Sequence, residues 1–223
     1  MPPLIAWRVL QIADSAFPTG GFAHSAGLEA ALHLGEAGKP DGLDAYVQML
    51  LWNTGTAALP FVAGAYDAPS EVWALDARMD ALLTNHVANR ASRTQGRAFV
   101  ATCTRVFDDP VLASLGARSR TREACAHFAP VLGACLAALS MARRDALAIH
   151  LHLTLRGVAS AAVRLGIVGP YEAQRLQHRH AATMDSVLER CERLRPPDAV
   201  TVAPLLDLFG ATHDRLYSRL FQS

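Results

Sequence analysis

The stretch Asp145-Ala146-Leu147-Ala148-Ile149-His150-Leu151-His152-Leu153-Thr154-Leu155-Arg156-Gly157-Val158-Ala159-Ser160-Ala161-Ala162-Val163-Arg164-Leu165 decides the fold class. Ala and Leu dominate it, as they dominate the whole chain, while Val, Ile and Tyr are sparse overall. Side chains of the first kind lose little freedom in a helix, so the stretch reads as one long apolar helix. A second apolar helix, His127 to Met141, precedes it, and the basic pair Arg143-Arg144 between them reads as a solvated helix end. The expectation is an all-α protein, a single-domain helical bundle of about eight to ten helices.

Toward the C-terminus, Gly169-Pro170 followed by Glu172 opens one more helix, which ends near Arg195-Pro196-Pro197. That Pro pair lies too near the end to separate two cores, and no internal repeat is visible, so residues 1–223 read as one domain with a tail at about 211–223. Toward the N-terminus, Asp109-Pro110 restarts a short turn. Ala88 to Phe107 forms a long helix whose Ala91, Gly96, Ala98 and Ala101 permit close helix approach. Pro69-Ser70 opens a helix through roughly Leu83, and Leu59 to Tyr66 is helical with Pro60 tolerated in its first turn. Leu43, Val47, Leu50, Leu51 and Thr54 recur at helical spacing. Ser25 is placed to cap a helix running to about Glu36, with Gly35 and Gly38 closing it. A loop over Phe17-Pro18-Thr19-Gly20-Gly21-Phe22 separates that helix from a short one, Leu4 to Ala13.

Composition narrows the functions. Apolar residues make up 51% and charged residues 18%, which suits a packed globule. The formal charge is only +1, so nothing drives nucleic-acid binding, and the cluster Arg118 to Arg122 reads as a solvated surface. The N-terminus has no basic segment leading into an apolar one, and Ala124 to Ala142 is broken by His127, Pro130 and Ser140. A cytoplasmic protein without a membrane anchor is expected. Cys103, Cys125, Cys135 and Cys191 show no C-x-x-C pairing and read as free thiols rather than disulfides or a zinc site.

Catalytic patterns fail on spacing. Gly35-Glu36-Ala37-Gly38-Lys39-Pro40 is not a phosphate loop, because its first glycine would fall at His33 and Pro40 takes the Ser/Thr position. His150 and His152, like His178 and His180, are two residues apart, which on a helix is about 200° of rotation and cannot present both rings to one ion. His178 and His180 read as surface residues. His150 and His152 alternate with leucines on a buried helix, with no role assigned. Asp14, Ser15 and His24 lack the G-x-S-x-G elbow of a hydrolase. No catalytic residue and no metal ligand is expected.

Two segments are more particular. Leu10-Gln11-Ile12-Ala13-Asp14-Ser15-Ala16-Phe17-Pro18-Thr19-Gly20-Gly21-Phe22-Ala23-His24-Ser25-Ala26-Gly27-Leu28-Glu29 closely resembles the signature of UreF urease accessory proteins. The ending His213-Asp214-Arg215-Leu216-Tyr217-Ser218-Arg219-Leu220-Phe221-Gln222-Ser223 resembles the same family's ending. Between them, Ala159 to Gln174 looks like the family's penultimate long-helix region; Gly169-Pro170 departs from the Leu-Gly-Gln run of bacterial members, and Asp214 stands where Glu is usual.

The resemblance implies an all-α homodimer that joins the accessory protein UreD/UreH and the GTPase UreG, and in that complex serves nickel insertion into apo-urease. It implies a scaffold and GTPase regulator rather than an enzyme, with no stably bound cofactor, although nickel transits the complex. An unrelated helical regulatory or ligand-binding protein without a urease role is the alternative.

On this basis Phe22, His24, Tyr217, Arg219, Leu220 and Phe221 are the expected partner-binding residues: large apolar and arginine side chains near mobile ends are the types that anchor interfaces. Phe22 follows two glycines and so has little local cover. His24 is a possible charge switch near neutral pH. Pro18, Gly20, Gly21, Ser25, Gly27 and Glu29 are assigned structural roles, Glu29 as a first-turn acid favoured by the helix dipole. Dimerisation is expected through the helix Asp145 to Leu165, because a helix apolar all round is often an interface.

Overall fold

The computed structural model describes residues 7–39 and 41–222. Leu4 to Ala6 of the expected first helix, Pro40 and Ser223 lie outside them. The described chain contains no strand. It forms α1 Trp7–Ala13, α2 Leu28–His33, α3 Gly42–Ala57, α4 Leu59–Asp67, α5 Val72–Leu82, α6 His86–Val106, α7 Pro110–Ser119, α8 Phe128–Ala138, α9 Arg143–Arg164, α10 Pro170–Arg179, α11 Ala181–Cys191 and α12 Pro204–Thr212, with short 3-10 turns between some of them. The all-α expectation holds. Ten of these helices have nine residues or more, and α1 and α2 are shorter.

The stretch that decided the fold class is the axis of the molecule. α9 packs against α1, α2, α3, α4, α8, α10 and α11. Its length and apolarity would suffice to cross a membrane, yet its leucines and all its alanines but Ala148 are buried inside the bundle. All-round apolarity therefore has a cause within one chain, and it does not single α9 out as a dimer face. The second apolar helix, α8, is buried along nearly its whole length and lies closely against α4. That approach depends on Gly133, because a Cβ there would overlap the Val62 carbonyl oxygen.

Local chemistry explains several boundaries. Asn85 caps α6 by accepting from the Val87 and Ala88 amides at 3.0 and 3.2 Å. Asp109 does the same for Val111 and Leu112 at 2.8 and 3.0 Å, and with Pro110 in the first turn it starts a full ten-residue helix where only a short turn was expected. The single helix expected from Gly169-Pro170 to Arg195 is instead two, α10 and α11, broken at His180. His180 is not a surface residue: it is buried, and its Nε2 lies 3.1 Å from Asp44 Oδ1 on α3. α2 begins at Leu28 after Gly27 and ends at His33, shorter than expected at both ends.

Candidate functional site

The loop before α2 is fastened to α6 and α9. Phe17 packs its ring against Phe99 and Phe107, with centroids 6.0 and 6.3 Å away. The Pro18 carbonyl accepts from Thr102 Oγ1 at 2.8 Å, and Thr19 Oγ1 accepts from the Gly21 amide. Gly20 has φ 75° and sits so close to α6 that a Cβ would come within 2.9 Å of the Ala98 methyl. Both its left-handed backbone and that contact call for glycine. Gly21 starts the short turn Gly21–Ala23, which rests on α9. Gly27 also has a positive φ, 89°, and lies against the Tyr46 hydroxyl, which donates to the Ala26 carbonyl. Ser25 is not the α2 cap, because Gly27 holds that position; the Ser25 hydroxyl accepts from the Glu29 amide at 3.4 Å.

Glu29 does more than complement a helix dipole. It is 2% exposed, and its carboxylate accepts three hydrogen bonds from the far end of the chain: His213 Nε2 at 3.0 Å, the Leu220 amide at 2.6 Å and the Phe221 amide at 3.2 Å. The Gln222 amide adds a bond to the Ala23 carbonyl at 2.8 Å. Buried polar groups must be satisfied, and here one carboxylate satisfies two backbone donors of a segment that has no regular structure of its own. The two segments singled out in the sequence thus form one site.

Arg164, at the end of α9, completes it. Its guanidinium lies 3.9 Å from the centroid of Phe22 and 4.1 Å from that of Phe221, and it donates to the Phe22 carbonyl. A cation between two rings is attracted by both π faces. Nothing in the sequence marks Arg164 for this place, because its partners lie far off along the chain. Asp214 is a second charged anchor: it accepts from Arg90 at 2.9 and 3.2 Å, from Arg219 at 2.8 Å, and faces His86 Nε2 at 3.1 Å. Hydrogen bonding to Arg90 first, then the Arg90 charge, a hydrogen bond to His86 and the Arg219 charge, lowers the Asp214 carboxyl to about 2 against a smaller opposing effect of burial.

The expected partner-binding residues divide into two groups. Phe22 is 71% exposed, Leu220 52%, and Tyr217 fully so; Arg219 is exposed and held by Asp214. Phe221 and His24 are buried. Phe221, at 5%, belongs to the protein's own core, where it fixes the tail in place rather than offering a free surface. His24 does not switch near neutral pH: burial first, then the charges of Arg90 and His213, lower it to about 4. His150, deep in α9 against the edge of the Phe128 ring, is lowered by burial to about 4 and has no hydrogen-bond partner at either nitrogen among the described residues. His152 is partly buried and bonded to the Ala13 backbone. Asp14 and Ser15 are exposed while His24 is buried, so they form no triad.

A family model described as UreF matches residues 38–181. The chain belongs to the UreF family. The match spans α3 through the start of α11, so family character extends through the helices between the two terminal segments that carried the resemblance. The chain is 40% identical over 225 residues to "Urease accessory protein F" of Arabidopsis thaliana, covering 97% of this chain and 92% of that protein. It is 35% identical to the protein of the same name in Oryza sativa subsp. indica, covering 96% and 84%. It is 31% identical to "Urease accessory protein UreF" of Arthrobacter sp. (strain FB24), covering 96% and 95%.

Proposed function

We propose that this UreF family member is a non-catalytic scaffold that presents one composite face, built from both ends of the chain, to the other urease accessory proteins. The observation that carries the reading is the convergence of Leu220, Phe221 and Gln222 on Glu29 and Ala23. These bonds fix a short irregular segment in one conformation while leaving Tyr217, Leu220 and, across Arg164, Phe22 facing solvent. Pre-ordering large side chains on a rigid support lowers the entropic cost of association. The family name and the resemblance together suggest the occupants: a UreD/UreH partner at the tail and the GTPase UreG at or near Phe22, acting together in nickel insertion into apo-urease. The same reading makes the protein a cytoplasmic homodimer; light scattering checks the dimer.

The test uses residues whose side chains the fold does not need. Tyr217→Ala combined with Leu220→Ala should abolish co-purification of the full chain with its UreD/UreH partner while the thermal midpoint stays unchanged. Phe22→Ala should reduce UreG recruitment to the preformed complex more than it reduces stability. Undiminished capture of both partners by the triple variant would overturn the reading.

A further inference from the structure

Away from the terminal site, the segment between α7 and α8 carries Cys125-Ala126-His127 in a strained conformation. Ala126 has φ 60°, a left-handed backbone that a residue with a Cβ seldom adopts. Two features hold it there. The buried Asp76 carboxylate of α5 accepts from the Ala126 amide at 2.9 Å and from the His127 amide at 2.7 Å. Gly96 of α6 leaves room for the Ala126 carbonyl, which a Cβ would overlap. The outcome of the twist is that Cys125 and His127, though two residues apart, both reach Asp80, one turn along α5 from Asp76. Strain retained by this much surrounding structure points to a use for the arrangement.

The donor set is mixed and compact. One sulfur of Cys125, one ring nitrogen of His127 and one carboxylate oxygen of Asp80 all lie within 4.8 Å of one another. His127 Nε2 is 3.0 Å from Asp80 Oδ1, and its Nδ1 is 3.1 Å from Ser92 Oγ on α6. Asn89 Nδ2 donates to Asp80 Oδ1 at 2.9 Å. Each of the two oriented donors thus has a partner behind it, the arrangement that fixes tautomer and direction at metal centres. His127 is fully buried, whereas Asp80 and Cys125 are partly exposed, so the cluster opens to solvent on one side.

We propose that Asp80, Cys125 and His127 form a three-ligand site for one borderline-soft divalent transition-metal ion of the zinc or nickel class. Sulfur, imidazole and carboxylate together select such ions over magnesium or calcium, which prefer all-oxygen shells. Ligand atoms that share one ion at bonds of about 2.0–2.3 Å stand roughly 3–4 Å apart, so closure takes a movement of about an ångström, within the reach of a Cys125 rotamer. On binding, the Cys125 thiol gives its proton to solvent and the Asp80–His127 hydrogen bond is replaced by two metal bonds. The His127 proton then resides on Nδ1 and is donated to Ser92 Oγ, which is already an acceptor from the Phe128 amide and can accept a second bond. A carboxylate and a thiolate around a dication leave the site neutral, and three protein ligands leave a fourth position on the solvent side for water or an exchanging ligand. Cysteine spacing could not show this, because the third ligand comes from a helix 45 residues earlier (125 minus 80).

The experiment needs no partner and reads nothing from urease. The purified full chain, stripped with chelator under reducing conditions, is titrated with Co2+, and Zn2+ is then used to displace it. One Co2+ per chain should bind, with a thiolate-to-cobalt charge-transfer band in the near ultraviolet that Zn2+ abolishes. Cys125→Ser should lose the band, Asp80→Asn should weaken binding by at least ~100-fold, and Ser92→Ala should weaken it by roughly 10–100-fold, as expected for an orienting residue. Circular dichroism of each variant controls for folding; should Cys125→Ser not fold, the Asp80→Asn and Ser92→Ala titrations decide. A wild-type chain that binds no Co2+, a band that persists in Cys125→Ser, or affinities that Asp80→Asn leaves unchanged would each overturn the proposal. Failure here would leave the docking function untouched, since Tyr217, Leu220 and Phe22 play no part in it.

Discussion

The centre of the bundle and the rim where the chain ends meet are held by different physics. Around α4, α8 and α9 the contacts are apolar and close, and their specificity lies in shape: Gly133 fits under the Val62 carbonyl and no larger residue would. At the rim, Glu29, Arg164 and Asp214 do the holding, through a handful of directed bonds between residues far apart in sequence. Packing of the first kind is shared among many neighbours, so its loss is global. Bonds of the second kind are few and partly wet, so their loss should free the tail and leave the bundle folded.

The largest effect that would separate the two regions comes from the centre. Gly133→Ala should cost ~3 kcal/mol or more, because the new methyl meets backbone that cannot rotate away, and should lower the thermal midpoint by roughly 6–12 °C. A midpoint unchanged in calorimetry would mean that the two helices can slide apart and that shape matters less there than the geometry indicates.

Acid sharpens the contrast. His24 and His150 are both lowered from 6.5 to about 4, so between those values the unfolded chain takes up protons that the folded one refuses. Stability is therefore complete above about pH 6.5 and falls as the pH drops toward 4, by on the order of 2–3 kcal/mol for His150 alone. The Asp214 carboxyl is lowered from 3.8 to about 2, so its contribution is present above about 3.8 and is lost only below that, as the pH falls toward 2. Denaturant midpoints measured from pH 7 to 4 should show the slope, and His150→Leu should flatten part of it; an unflattened slope would move the effect to His24.

Glu29→Gln should cost about 2 kcal/mol, the scale of hydrogen bonds to a charged group. Its signature is regional: amide exchange at Leu220 and Phe221 should accelerate while that of α8 does not change. Equal acceleration in both would show that rim and centre unfold as a unit. The smallest expected effect is that of Arg164→Met, about 1 kcal/mol for the lost cation–π contacts, with a disproportionate loss of partner capture if the cation positions Phe22 for docking.

Much of the bundle was legible because helices announce themselves locally. The leucines and Thr54 of α3, Pro60 in the first turn of α4 and the apolar run of α9 each carry their signal within a few residues, and all lie where periodicity places them. α7 is longer than the turn that Asp109-Pro110 suggests, because Pro in a dipeptide with Asp marks a turn and a helix start alike, and here Asp109 is a cap and Pro110 the first helical residue. The break at His180 has no Gly or Pro to mark it; burial of the His180 ring beside Asp44 sets it. The rim was half legible. Both terminal segments stood out as unusual, but their meeting did not, since Glu29 finds its partners 184 to 192 residues away and no local pattern encodes that. Phe221 and Tyr217 look alike as aromatic residues in a tail, and only packing shows that one faces inward and the other outward.

The hold of Glu29 on the amides of Leu220 and Phe221 has a temporal consequence. A ribosome makes residue 221 long after residue 29, so during synthesis helices of the bundle can form with this carboxylate still waiting for its donors. The face that joins both ends comes into being only once the tail has left the ribosome. If partners dock on that face, a nascent chain cannot recruit them through it before residues 220–222 have emerged.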